Sequence, residues 1–155
     1  MATATKTRRA KQQQLKPEAI VNDALRTFSD ADFPVGTVAH QGDLILIRIG
    51  GLPEGAKPRK NRQMAEGNTQ GSRHILKVGD AFDCPIAGVQ RAIAAVCKGA
   101  KIGDAYVGPV FQTRDGSANL VHPEHGDHCY LGDMTIAVVY QRNLDAEDRE
   151  RRVQD

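Results

Sequence analysis

The chain contains no tryptophan, and only 5% of its residues are aromatic. A core for 155 residues must therefore come mainly from Ile, Val, Leu and Ala, which is thin for a free-standing domain, and oligomerisation would relieve the shortage. Paired cysteines are missing too: Cys84, Cys97 and Cys129 are odd in number and irregular in spacing, which argues against a disulfide framework and suits a reducing compartment. No apolar run approaches the roughly 18 residues of a membrane helix, and the N-terminus lacks an apolar signal core, so a soluble protein with no membrane partner is expected. There is no Gly-rich phosphate loop, no Ser or Cys nucleophile motif, no CxxC pair, no RNP-type aromatic motif and no helix-turn-helix pattern. Covalent catalysis and sequence-specific nucleic-acid recognition are thus left without a signature.

Acidic residues are absent from the first 16 positions, where Lys6, Arg8, Arg9, Lys11 and Lys16 stand among Ala, Thr and Gln. Such a segment cannot fold by burying itself, and it reads as an extended basic N-terminal arm that contacts partner subunits or, non-specifically, a polyanion. From Pro17 to Phe28 the spacing of Ile20, Val21, Ala24, Leu25 and Phe28 predicts an amphipathic helix, closed by a linker to residue 33. A second peripheral helix is predicted at Val89 to Cys97, with Gly99 as its stop. Residues 145–155 alternate acids and bases and read as a charged C-terminal tail.

Between these segments, residues 34–144 read as one β domain. Gly-Asp recurs at 42–43, 79–80, 103–104, 126–127 and 132–133, each time ahead of an apolar or β-branched run, and Asp115-Gly116 has the order favoured in two-residue hairpins. Strands are expected near 36–40, 43–49, 62–66, 73–78, 80–86, 105–113, 117–122, 127–131 and 133–142. The fold class is mainly β, a small antiparallel barrel or sandwich with two peripheral helices. Leu44 to Ile47 has no polar alternation and must be covered on both faces, by other strands or by a partner chain, with Ile45 and Ile47 both deeply buried. Residues 50–61 form a Gly/Pro-rich connection, and Lys57, Arg59, Lys60 and Arg62 near its far end predict an exposed basic loop available to partners.

Whatever chemistry the chain has lies with its histidines. His122, His125 and His128 share one turn-rich segment, and His74 on a separate strand could join them on a divalent transition metal, with Glu124 as general base on a metal-bound water. Cupin-like barrels collect ligands from two strand pairs in a similar way, although their characteristic spacings are not met. Pro123 and Gly126 support a different reading, a tight hairpin whose polar residues bond the turn, and a third is an interface sensitive to imidazole protonation.

Gly-Asp-Leu-Ile-Leu-Ile at 42–47, Ala-Glu-Gly-Asn-Thr-Gln-Gly-Ser-Arg-His at 65–74, His-Pro-Glu-His-Gly at 122–126 and Tyr-Gln-Arg-Asn-Leu-Asp at 140–145 occur in that order. This resembles a group of small uncharacterised proteins encoded by bacteria and phages, with Ala-Glu-Gly, Gly-His-x-His, His-Glu-Glu-His and Gln-Arg-Glu-Tyr segments. Ser72 stands where the group has the first histidine of Gly-His-x-His, and Pro123 where it has the first glutamate of His-Glu-Glu-His. The resemblance implies a shared fold over about residues 36–155 and a phage origin, and no reaction. Two functions follow as expectations. One is a non-enzymatic assembly protein, such as a phage head decoration or minor structural protein, homo-oligomeric and located in the virion or host cytoplasm. The other is a cupin-like metal-binding protein or metal-dependent enzyme of the cytoplasm, using the histidine cluster.

Overall fold

A computed structural model describes residues 26–65 and 73–141. The basic arm, most of the 17–28 segment and the 145–155 tail lie outside the described residues. The chain order is β1 Arg26–Phe28, β2 Val38–Gln41, β3 Leu44–Ile49, β4 Lys57–Pro58, β5 Ile75–Val78, β6 Asp80–Asp83, α1 Ile86–Val96, a 3-10 turn at Asp104–Tyr106, β7 Val107–Gln112, β8 Ser117–Val121, β9 His128–Leu131 and β10 Thr135–Tyr140. Ten strands form a six-stranded sheet in the order β2-β3-β10-β7-β6-β4 and a four-stranded sheet in the order β1-β9-β8-β5. Every pairing is antiparallel except β1 with β9.

The chain changes sheets between β5 and β6 at Gly79, between β7 and β8 at Asp115-Gly116, and between β9 and β10 at Gly132-Asp133. At the middle site Asp115 has φ 51° and Gly116 has φ 85°, the two positive values of a type I′ hairpin turn, so the expected Asp-Gly signal is met. The two sheets share one apolar layer: Leu76, Ala118, Leu120 and Tyr130 of the smaller meet Leu44, Leu46, Phe111, Ile136 and Val138 of the larger. No closed barrel forms among the described residues, because β2 and β4 leave the larger sheet with open edges.

Alternation along β3 explains how a thin composition suffices. Leu44 and Leu46 point into the layer between the sheets, whereas Ile47 and Ile49 join Val110, Ala137 and Val139 in a second cluster beneath Val89 and Ile93 of α1. The uninterrupted run is thus covered on both faces within one chain. Ile45 departs from expectation: it is half-buried against the helix-side cluster, while Ile47 is 5% exposed. Pro109 sits in β7 where the register against β10 shifts, a place where its missing N–H breaks no regular ladder.

Other expectations are corrected. Arg26–Phe28, predicted as the last turn of a helix, is instead a parallel strand on β9, and Phe28 stacks on Tyr130 at 5.1 Å. A few apolar positions cannot separate a helix end from a short edge strand. The β domain therefore begins ahead of residue 34, and α1 is the one α-helix among the described residues. Of the strand expected at 62–66, the described residues 62–65 show an isolated bridge from Gln63 to Ile75 instead, and residue 66 lies outside the described residues.

The basic loop is not free either. Lys57–Pro58 pairs with β6, and Arg59 binds Asp83 at 2.8 Å and the carbonyls of Asn61 and Gln63. Arg62 donates to the carbonyls of Leu76 at 2.7 Å and Gly79 at 2.6 Å, which ties the connection to the crossing between sheets. Two of the four cations hold the chain to itself, while Lys57 and Lys60 remain exposed.

Two-sided burial of β3 predicts the outcome of Leu46→Asp. Leu46 is fully buried, so an unpaired carboxylate there costs several kcal/mol, enough to unfold a domain of this size. Ile45→Asp, at a half-buried position, costs less. Urea unfolding followed by far-UV circular dichroism measures both, and a Leu46→Asp protein of near-normal stability would contradict the packing.

Candidate functional site

Register brings the histidines together. Ile75 pairs with Val121 and Leu76 with Leu120, so the antiparallel ladder of β5 and β8, extended one step, sets His74 opposite His122. Their ring centroids are 4.3 Å apart. His122 leads into the turn that returns to β9, and His125 of that turn places its ring 4.4 Å from that of His122. Three imidazoles from two chain segments thus form one ladder at the end of the smaller sheet.

The β2–β3 turn closes against it. Gly42, with φ 59°, lies so near the His125 ring that a Cβ there would come within 2.5 Å of Cδ2. Only glycine lets the two turns approach in this way.

Gln41, the residue before that glycine, organises the ladder. Its amide nitrogen donates to the carbonyls of Leu120 at 2.9 Å and Gly126 at 2.7 Å, and its Oε1 faces Nδ1 of His74 at 2.9 Å. With the NH₂ committed to two carbonyls, Oε1 can only accept, so His74 carries its proton on Nδ1 and presents a bare Nε2. Sequence reading did not single out Gln41, although the alternation of exposed Val38, buried Ala39 and exposed His40 turns it inward.

His122 has the opposite tautomer. The Glu124 backbone N–H donates to its Nδ1 at 3.0 Å, so Nε2 carries the proton, and this N–H is buried without a hydrogen-bond partner. His128 leaves the ladder altogether. It shares a 2.9 Å hydrogen bond with the Tyr130 hydroxyl and packs 5.3 Å from the Phe28 ring, inside the aromatic part of the core. Of the four histidines grouped by sequence, the fold joins three and gives the fourth a packing role.

Among the described residues, no three His, Cys, Asp or Glu side chains are arranged to hold a metal ion. His74 does hold its Nδ1 against a side-chain oxygen, as ligating histidines commonly do, which leaves its Nε2 bare. Glu124, the sequence candidate for a base, is exposed, and its backbone rather than its carboxylate engages the ladder. The exposed cations Lys57 and Lys60 belong to the β4 connection, and none of the contacts of the ladder involves them.

Burial sets the electrostatics. It holds the His74 imidazole down to about 3, aided by the charges that His122, His125 and His128 would carry, and holds His128 down to about 4, aided by Arg26. His122 is also lowered, first by burial and then by His125, against the opposing pull of Glu124 and Asp43. Burial raises the Tyr130 hydroxyl, so the phenol stays protonated.

Two outcomes follow. Gln41→Leu leaves the His74 N–H and two carbonyls without partners and costs about 2–4 kcal/mol, measured by urea unfolding at neutral pH. Second, the folded pKa values of His74 and His128 lie below the unfolded value of 6.5, so the native state binds fewer protons than the unfolded chain as pH falls below it. Stability is therefore fully present above about pH 6.5 and lost progressively toward pH 4 and 3. A stability unchanged between pH 7 and pH 5, where free carboxylates do not titrate, would contradict this.

Comparison with curated proteins and with solved structures gives no match. A family model described as a domain of unknown function, DUF8820, matches residues 40–131, a span that holds Gln41 and all four grouped histidines. That span is more than half of the chain, and the protein belongs to the DUF8820 family.

Proposed function

We propose that this protein acts by association, as a non-catalytic structural component of a larger assembly, in the manner of a phage head decoration or minor structural protein. The observation that carries this reading is a difference between the outer faces of the two sheets. The larger sheet is covered by α1. The smaller presents Ile75, Val121 and Cys129 half-buried, and Val78 and Leu131 39% and 41% exposed, with no described element over them. None of these side chains belongs to either apolar cluster.

The occupant that best suits this face is a second copy of the chain. Thr27, Ser117, Asn119, Val121, Cys129 and Leu131 are uncharged, and Lys77 stands at the bulge of β5, so two such faces can meet with little like-charge cost. An isologous contact of this kind is the commonest way for a chain to assemble. The long apolar strand β3 is covered on both faces within the chain. The basic residues Lys6 to Lys16 remain the sequence feature that would extend such a contact to neighbouring subunits or to a polyanion.

Sedimentation velocity of the full chain, with metal analysis of the same sample, tests the reading. The expected result is a particle heavier than one chain, without stoichiometric metal, that Leu131→Asp dissociates while its circular dichroism is unchanged. A monomer at every concentration would overturn it, and one transition-metal ion per chain would favour a metal protein instead.

A further inference from the structure

The outer face of α1 is exposed among the described residues, although its composition is that of a covered helix. Its eleven residues carry a single charge, Arg91. Val89 and Ile93 pack on the larger sheet, while Ile86, Ala87, Ala94 and Ala95 are exposed. A helix so poor in charge is ordinarily packed on more than one side. We propose that the acidic stretch 145–148 of this chain docks in the groove beside α1, with its carboxylates on Arg91 and Lys101. The inference is independent of the association reading, since it concerns the face of α1 and not that of the smaller sheet.

The groove lies between α1 and the connection that follows it. Ala87, Ala94, Ala100 and Ile102 line it together with Arg91 and Lys101, and its volume is about 400 Å³. Both cations are exposed, and neither has an ion pair or a hydrogen bond among the described residues. Lys98, also exposed, adds positive charge to the same connection, whereas its acid, Asp104, accepts from Gln90 at 2.7 Å. Apolar walls with two free cations suit a short segment of small and acidic residues.

Charge and position select the occupant. Residues 145–148 read Asp-Ala-Glu-Asp, three carboxylates with no cation among them. This stretch follows β10, whose Val139 pairs with Val107 at the start of β7. Just before β7 the chain is tied to α1, because the Gln90 amide nitrogen donates to the Ile102 carbonyl at 2.7 Å and to Asp104. The chain therefore leaves the larger sheet beside the connection that forms one wall of the groove. Five steps of chain, including the 3-10 turn Asp104–Tyr106, separate Ile102 from Val107, no more than about 17 Å, and Glu147 is six steps beyond Gln141, a reach of about 20 Å. Exposed ion pairs are individually weak and screened by salt, so the contact is reversible.

Backbone order parameters from nitrogen-15 relaxation of the full chain test the docking. At about 0.1 M salt the Glu147 and Asp148 amides have values above about 0.6, under which a backbone is flexible; at about 1 M salt, where the screening length falls from about 10 Å to about 3 Å, they drop below it. Arg91→Glu with Lys101→Glu gives the same drop at the lower salt, while the amide shift of Ala137 in β10 is unchanged. Adding Asp145→Lys, Glu147→Lys and Asp148→Lys to that pair restores the higher values. Flexible values in the wild-type chain at the lower salt, ordered values that persist in the Arg91→Glu and Lys101→Glu chain, or no restoration by the charge exchange would each overturn the inference. A mixture identifies the donor of the segment: labelled chains carrying only the three tail lysines, mixed with unlabelled wild type, keep their own Ala94 and Ala100 amide shifts. Return of those shifts to the wild-type positions would assign the groove to the tail of a second copy and overturn docking within the chain.

Discussion

A single primary amide constrains the histidine end of this molecule. Gln41 leaves β2 in the larger sheet, donates to two carbonyls of the β8 segment and its turn in the smaller sheet, and accepts from His74. An amide has one oxygen and one nitrogen, so only one orientation satisfies all three partners, and that choice passes to the His74 ring as a tautomer. His122, bonded instead by the backbone of its own turn, takes the other tautomer. Two adjacent imidazoles are therefore chemically unlike although the sequence treats them alike.

The rest of the fold supplies a frame stiff enough to hold these bonds. β3, β7 and β10 are buried on both faces, by the smaller sheet on one side and α1 on the other, so each apolar residue of the centre serves one of two cores. Aromatic residues are few, and they are concentrated: Phe28, Phe33, Phe111 and Tyr130 lie with ring centroids 5.1 to 5.8 Å apart, with His128 added at the edge. The outer face of the smaller sheet has no described element over it.

Much of this was legible before any coordinates. Gly-Asp and Asp-Gly turns delimit strands because positive φ and local Asp bonding are written in residue type, and β3, β7, β8, β9 and β10 fall within two residues of the expected bounds. α1 was legible from the period of Val89, Ile93 and Val96, although its first turn precedes the expected start. What was hidden depends on pairing between distant segments. Arg26–Phe28 is a strand because β9 offers an edge, Arg59 is structural because Asp83 and the carbonyls of Asn61 and Gln63 lie within reach, and Arg62 because carbonyls of the β5–β6 crossing do. The histidines were found as a group, but their division into a ladder of three and a buried fourth required the register of β5 on β8. Gln41 carried a weak signal, inward alternation in β2, and its importance lies entirely in partners 79 and 85 residues away.

The central claim, that Gln41 and the Glu124 amide impose opposite tautomers on two neighbouring rings, is open to direct observation. Long-range proton–nitrogen NMR correlations of the imidazole rings at pH 7.5 distinguish protonated from bare nitrogens at each histidine. The account predicts Nδ1–H at His74 and Nε2–H at His122, with Gln41→Leu releasing the first and leaving the second. Nε2–H at His74, or Nδ1–H at His122, in the wild-type protein would contradict it.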